Sequence, residues 1–215
     1  MTATIDQDAA TETWAVPPEA EGYVERDGVR VHWELFGSGE RAVLLLPSWS
    51  IVPARVWKGQ VAHLARRGRV VVFDPRGNGR SDRPSDPSAY DNDEFVDDAL
   101  AVLDATETER AAVVGLSLGA QRELSLAVRA PERVTHLIFL GPTLPITPPS
   151  PHRDNSFTIE LETYEGWAKY NEHYWRRDYR GFVEFFFDHS ACPSRTRPSS
   201  TTTSSAGDCR PTPRR

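Results

Sequence analysis

Between Ala42 and Leu140 the chain repeats one pattern: a short apolar run, a turn, then apolar residues at helical spacing. Ala42–Leu46, Arg69–Phe73, Ala111–Val114 and Val134–Leu140 are too short for helices. Ala42–Leu46 is continuously apolar, as expected of a central strand covered on both faces. Three intervening segments read as helices, each with one apolar face. Within 53–66 the face is Trp57, Val61 and Leu64; within 93–104 it is Val96, Ala99 or Leu100, and Leu103. Within 118–130 it is Ala120, Leu124 and Ala127, with Pro131 just beyond. Strands alternating with helices imply βαβ units, hence an α/β fold with a mostly parallel sheet flanked by helices. Upstream, Val29, Val31, Trp33 and Leu35 predict a half-buried strand over 29–36. With the alternating residues from Gly22 it forms an antiparallel edge.

The flanks differ from this body. Residues 1–21 have little apolar pattern and contain Pro17-Pro18, which predicts a mobile leader before a core at 22–141. The prolines at 142, 145, 148, 149 and 151 mark a linker. The stretch from Ile159 to Phe187 is dense in aromatics and predicts helix, so 142–188 reads as a linker and partial helical cap. Residues 189–215 contain no Val, Ile, Leu, Met, Phe, Trp or Tyr and read as a disordered tail. Lys58 and Lys169 are the only lysines, and the tail is mainly Ser, Thr, Pro and Arg. Out-of-frame translation of a GC-rich gene gives this composition, so two readings stand, a frameshift near Asp188 and a natural tail.

Charge and cysteine usage exclude several classes. The tail holds five arginines against Asp208, a net +4, which leaves −10 for the rest of a chain totalling −6. An acidic body argues against nucleic acid or anionic membrane as partner. No apolar run reaches the roughly 18 residues of a membrane helix, and the acidic start does not read as a secretory signal. A cytoplasmic protein is expected. Cys192 and Cys209 both lie in the tail, so the body offers no cysteine for a metal site or disulfide.

Gly115-Leu116-Ser117-Leu118-Gly119 follows one strand and opens a helix, the setting of a G-x-S-x-G nucleophile elbow. A sharp strand-to-helix turn leaves no room for side chains two residues either side of the serine. It also aims the helix N-terminus at the place where an oxyanion would develop.

With Asp74-Pro75-Arg76-Gly77-Asn78-Gly79-Arg80-Ser81, which matches D-x-R-G-x-G-x-S, the chain resembles the α/β-hydrolase family over residues 22–187. The resemblance implies an α/β-hydrolase fold, incomplete in its C-terminal part, with Ser117 as nucleophile. Asp74 and Arg76 are then structural residues that lock a tight loop by hydrogen bonds. Where family members commonly carry His-Gly-x, this chain has Pro47-Ser48-Trp49; the backbone N–H groups of Trp49 and Leu118 are the expected oxyanion donors. Serine in place of aspartate argues against dehalogenase or epoxide hydrolase chemistry. The reaction implied is hydrolysis of a small ester, lactone or related carbonyl compound, with no metal or organic cofactor.

A serine hydroxyl needs a base, and the family places a histidine after the last strand, preceded by an acid. Here His32 and His63 precede Ser117, His136 lies on the next strand, and His152, His173 and His189 follow in the linker, cap and tail. None has a following strand to position it. An acid after Val134–Leu140 is also missing, since the chain reads Gly141-Pro142-Thr143 there and Asp154 lies within the linker. Three readings therefore remain: a serine hydrolase impaired in proton transfer, a non-catalytic remnant, and a sensory module binding a small ligand.

Overall fold

The computed structural model describes residues 16–49, 52–144 and 157–190. The chain forms two compact units, the first containing the described residues up to 144 and the second those from 157.

The first unit is a six-stranded sheet. Its strands are β1 (Ala20–Arg26), β2 (Val29–Phe36), β3 (Ala42–Leu46), β4 (Arg69–Phe73), β5 (Ala111–Leu116) and β6 (Val134–Leu140), in the order β1-β2-β4-β3-β5-β6. β3, β4, β5 and β6 run parallel, while β1 and β2 add the expected antiparallel edge. The helices are α1 (Lys58–Leu64), preceded by a 3-10 turn at Ala54–Trp57, α2 (Asn92–Ala105) and α3 (Leu118–Arg129).

Two cores explain the continuous apolar runs. Leu44, Leu46, Val71, Phe73 and Val113 face one way, into a cluster with Val96, Ala99, Val102 and Leu103 of α2 and Leu126 of α3. Leu45, Val70, Val72 and Val114 face the other way, against Trp57 and Val61. Successive strand residues point to opposite faces, so a strand covered on both must be apolar throughout.

Three expectations need correction. β1 begins at Ala20, two residues inside the stretch read as leader. β2 is covered on both faces: His32, Glu34 and Phe36 are buried along with Val29 and Val31. Glu34 is tolerated because Arg80 Nη2 donates to its Oε1 at 2.8 Å, while the His32 ring packs edge-on against Tyr23 with centroids 5.1 Å apart. In α3 the buried residues are Gly119, Ala120, Arg122, Glu123 and Leu126, whereas Leu124 is 40% exposed. An inward face of Ala120, Glu123 and Leu126 obeys helical spacing too, and a purely apolar reading passes over it.

The second unit, described from 157 to 190, contains a 3-10 turn at Gly166–Lys169 and α4 (Glu172–Ser190). Helix was expected from Ile159, but 159–165 is irregular. α4 is interrupted at Asp178 (φ −151°, ψ 71°), whose carboxylate accepts the Gly181 N–H at 2.9 Å and so caps the following segment. Phe157, Tyr170, Trp175 and Phe182 pack edge-on or tilted with centroids 4.7–6.0 Å apart, the geometry aromatic pairs prefer. The linker at 145–156, most of the leader and the tail from 191 lie outside the described residues.

Candidate active site

From β3 the chain goes to β4 on one side, then crosses to β5 on the other. The carboxyl ends of β3 and β5 thus flank a topological switch point, where open α/β sheets leave a crevice for ligands. The loop 47–49 follows β3, and Ser117 follows β5. They meet closely: a Cβ added to Gly119 would stand 2.7 Å from the Pro47 carbonyl oxygen.

Ser117 has φ 55° and ψ −114°, a left-handed conformation that L-residues rarely adopt. Both flanking glycines are required. A Cβ on Gly115 would lie 2.6 Å from the Gly119 carbonyl and 2.7 Å from Ala120 Cα, and would also collide with the Glu123 carboxyl. The strained turn is clamped by its own backbone. The Ser117 N–H donates to the Leu140 carbonyl at 2.9 Å, and the Ser117 carbonyl accepts from Ala120 at 3.1 Å and Thr143 at 3.1 Å. Ser117 is half-buried, and its Oγ stands 3.4 Å from the Thr143 hydroxyl. Thr143 therefore occupies the neighbourhood where an acid after β6 was sought. Its nearness to the serine could not be read without knowing that β6 pairs alongside β5.

Leu118, directly after the nucleophile candidate, begins α3, so its N–H belongs to the unpaired first turn of a helix. Trp49 lies half-buried at the end of the β3 loop, and its carbonyl accepts the Val52 N–H at 3.1 Å.

The 74–81 loop is locked as expected of Asp74 and Arg76. Asp74 Oδ1 accepts the Ala54 N–H and Oδ2 the Arg80 N–H, both at 2.9 Å. Any side chain at Gly79 (φ 49°) would run into the Asp74 carboxylate. Arg76 forks onto Asp98 of α2 and donates to the Ala89 carbonyl at 2.8 Å.

The described histidines of the first unit lie on β2, α1 and β6. His32 is buried on β2 beside Glu21, Asp74 and Tyr23. Burial, and after it the positive charge of Arg80, holds it down at about 4, so it is neutral near pH 7. His63 is exposed on α1, where it meets Arg67. His136 is exposed on β6. In the second unit, His173 Nε2 lies 3.2 Å from the Thr158 carbonyl oxygen and 3.6 Å from Glu172. His152, Asp154 and the His189 side chain lie outside the described residues.

Glu21, His32 and Glu34 come close enough together to hold a cation. The Arg80 guanidinium already serves that acidic pair, with Nη2 2.8 Å from each carboxylate.

Two further polar groups near the site escaped sequence reading. Glu123 is fully buried beneath the elbow, and burial pushes its carboxyl up to about 7 while the amides of Ile138 and Gly115 pull the other way. Arg122 is buried between α2 and α3. Helical spacing from Ala120 to Leu126 was the available signal for Glu123.

No described helix is long and apolar enough to cross a membrane. The model of the alpha/beta hydrolase fold matches residues 42–205. The 2-hydroxymuconate semialdehyde hydrolase of Pseudomonas sp. (strain CF600) is 38% identical over 125 residues, covering 58% of this chain and 44% of that protein. The rhodomycin D methylesterase DauP of Streptomyces sp. (strain C5) is 39% identical over 127 residues, covering 57% and 43%. Among solved structures, Est816, described as an N-acyl homoserine lactone degrading enzyme, superposes with a TM-score of 0.53 at 35% identity. That match covers 56% of this chain and 45% of Est816. The chain thus spans just under half the length of these relatives. With β3 to β6, the elbow and the locked loop all inside the matched region, the chain belongs to the alpha/beta hydrolase fold family.

Proposed function

We propose that Ser117 is the nucleophile of a serine-dependent hydrolysis acting on an ester, lactone or related small carbonyl compound. The observation that carries this reading is the conformation of Ser117, φ 55° and ψ −114°, held between β5 and α3. Such strain persists where the surroundings over-determine it, and a hydroxyl displayed at a helix N-terminus suits attack on a carbonyl carbon. Ser117 Oγ adds to that carbon, and the charge developing on the carbonyl oxygen is met by the N–H groups of Leu118 and Trp49. A methylesterase and a lactone-degrading enzyme among the relatives support the substrate class.

The attack also requires a base for the Ser117 proton. Among the described residues, the side chain hydrogen-bonded to Oγ is Thr143, which cannot serve as one near neutral pH. That observation favours a second reading, a hydrolase-like module that binds a small carbonyl ligand with little turnover. Donors and binding without a base leave about 10³–10⁴-fold acceleration over water.

Labelling the full chain with a fluorophosphonate probe, with Ser117→Ala as control, tests the nucleophile. Labelling confined to the Ser117 protein, with hydrolysis of a p-nitrophenyl ester, supports the enzyme. Equal labelling of the two proteins rules out Ser117. Thermal stabilisation by an unreacted lactone, without labelling or turnover, supports the binding module.

A further inference from the structure

We propose that Glu123 is a positioning residue for Ser117, its carboxyl acting as a strut between α3 and β6 directly beneath the elbow. The proposal rests on the reading of Ser117 as the reactive group. Glu123 lies on α3, six residues after the serine, with no exposed surface. Its Oε1 accepts the Ile138 N–H of β6 at 2.6 Å. Two residues further along β6, the Leu140 carbonyl accepts the Ser117 N–H, and three beyond that Thr143 meets both the carbonyl and the hydroxyl of Ser117. On the other side, α3 starts at Leu118, and Glu123 fills the space that a side chain at Gly115 would need. The two elements that meet at the serine are thus joined a second time, through one carboxyl.

Packing alone does not call for this residue. An aliphatic side chain would fill the same space, whereas Glu123 leaves Oε2 without a hydrogen-bond partner at a cost in desolvation. The Glu123 carboxyl instead accepts the Ile138 N–H, which an aliphatic side chain could not do, and unlike a glutamine it can change its charge there. Its ionisation falls near neutral pH, raised by burial. Charged groups around it are few or already engaged. β3 and β5 carry none, and β6 carries the exposed His136. On α3, Arg122 lies over Phe95 and Arg129 pairs with Asp93 and Asp97. The other α2 acids, Glu94, Asp98 and Asp104, pair with Arg26, Arg76 or Arg133. Proton loss therefore strengthens the hydrogen bond from Ile138, together with the pull of the Gly115 amide, and through β6 and β5 tightens the seat of Ser117.

The test follows the backbone amides of Ile138 and Ser117 by 15N NMR from pH 5.5 to 8.5, in the full chain carrying His136→Gln so that the nearby imidazole is removed. Both amides are expected to titrate with one midpoint near 7, and both titrations are expected to vanish on adding Glu123→Gln. Fluorophosphonate labelling of Ser117 should rise with the same midpoint, at least threefold, and lose that inflection in Glu123→Gln. A Ser117 amide that stays fixed while Ile138 titrates overturns the proposal, as does an inflection that survives Glu123→Gln. Absence of labelling at every pH refutes the nucleophile reading instead, while the amide titrations still decide the role of Glu123.

Discussion

Arg76 and Asp98 form a buried, two-pronged ion pair: Nε and Nη2 of the guanidinium stand 2.7 and 2.6 Å from the two carboxylate oxygens. Arg76 is 1% exposed and Asp98 fully buried, and Asp98 also accepts from Arg26 at 2.8 Å. The pair pins the 74–81 loop to α2. Asp98→Ala strips the buried guanidinium of its two-pronged partner and leaves Glu94, 3.1 Å from Nη1, as its ion partner, so a loss of about 3–5 kcal/mol is expected. Urea unfolding measures it; a loss below about 1 kcal/mol would mean that water or Glu94 readily replaces the partner.

Arg122 is the opposite case. Its guanidinium carbon lies 3.6 Å from the centre of the Phe95 ring, yet Nε and Nη1 have no hydrogen-bond partner. Burial pulls its pKa down to about 10, only partly offset by Asp98. Arg122→Met keeps the stem and removes the charge, and a gain of about 1–2 kcal/mol is expected. A clear loss would show that stacking on Phe95 outweighs the desolvation of the charge.

Ser117 stores backbone strain in the elbow. Glycine adopts its positive φ without the steric cost, so Ser117→Gly is expected to raise stability by about 1 kcal/mol. Ser117→Ala should leave stability nearly unchanged while abolishing probe labelling. Thermal unfolding of the three proteins checks both, and a destabilised glycine variant would contradict the strain argument.

His32 gives the fold an acid-sensitive element. Its native pKa of about 4 lies below the ordinary 6.5, so between those values the unfolded chain binds more protons than the native one. Its contribution is complete above pH 6.5 and is lost as pH falls towards 4, by about 3 kcal/mol at most. Denaturation midpoints from pH 7.5 to 4.5 should therefore fall more steeply for the wild type than for His32→Gln. Parallel curves would mean that His32 is not buried in neutral form.

The strands and the elbow were legible for the same physical reason. A strand covered on both faces must be apolar through its buried positions, so β3 and β4 stand out with the bounds the structure gives them. β6 also has its expected bounds, but most of its residues are exposed. The elbow demands glycine where side chains would strike Pro47, Gly119 or Ala120, and this steric requirement is written locally in five residues. The loop lock at Asp74 was legible too, through its motif. The aromatic segment was less so: its composition suits helix from Ile159, but Gly166 (φ 55°) and the break at Asp178 set other bounds.

Sequence by itself determined the α/β order of elements and the place of Ser117 at the end of β5, because both follow from periodicity and close sterics within a few residues. Tertiary structure alone decided which polar residues go inside. His32, Arg122 and Glu123 are buried by neighbours 15 to 50 residues away or more, among them Arg80, Phe95, Asp98 and Ile138. It also brought Thr143 beside Ser117, which depends on β6 pairing in parallel with β5. Burying a polar group is favourable only when distant partners offset its lost hydration, and no local pattern records where those partners will be.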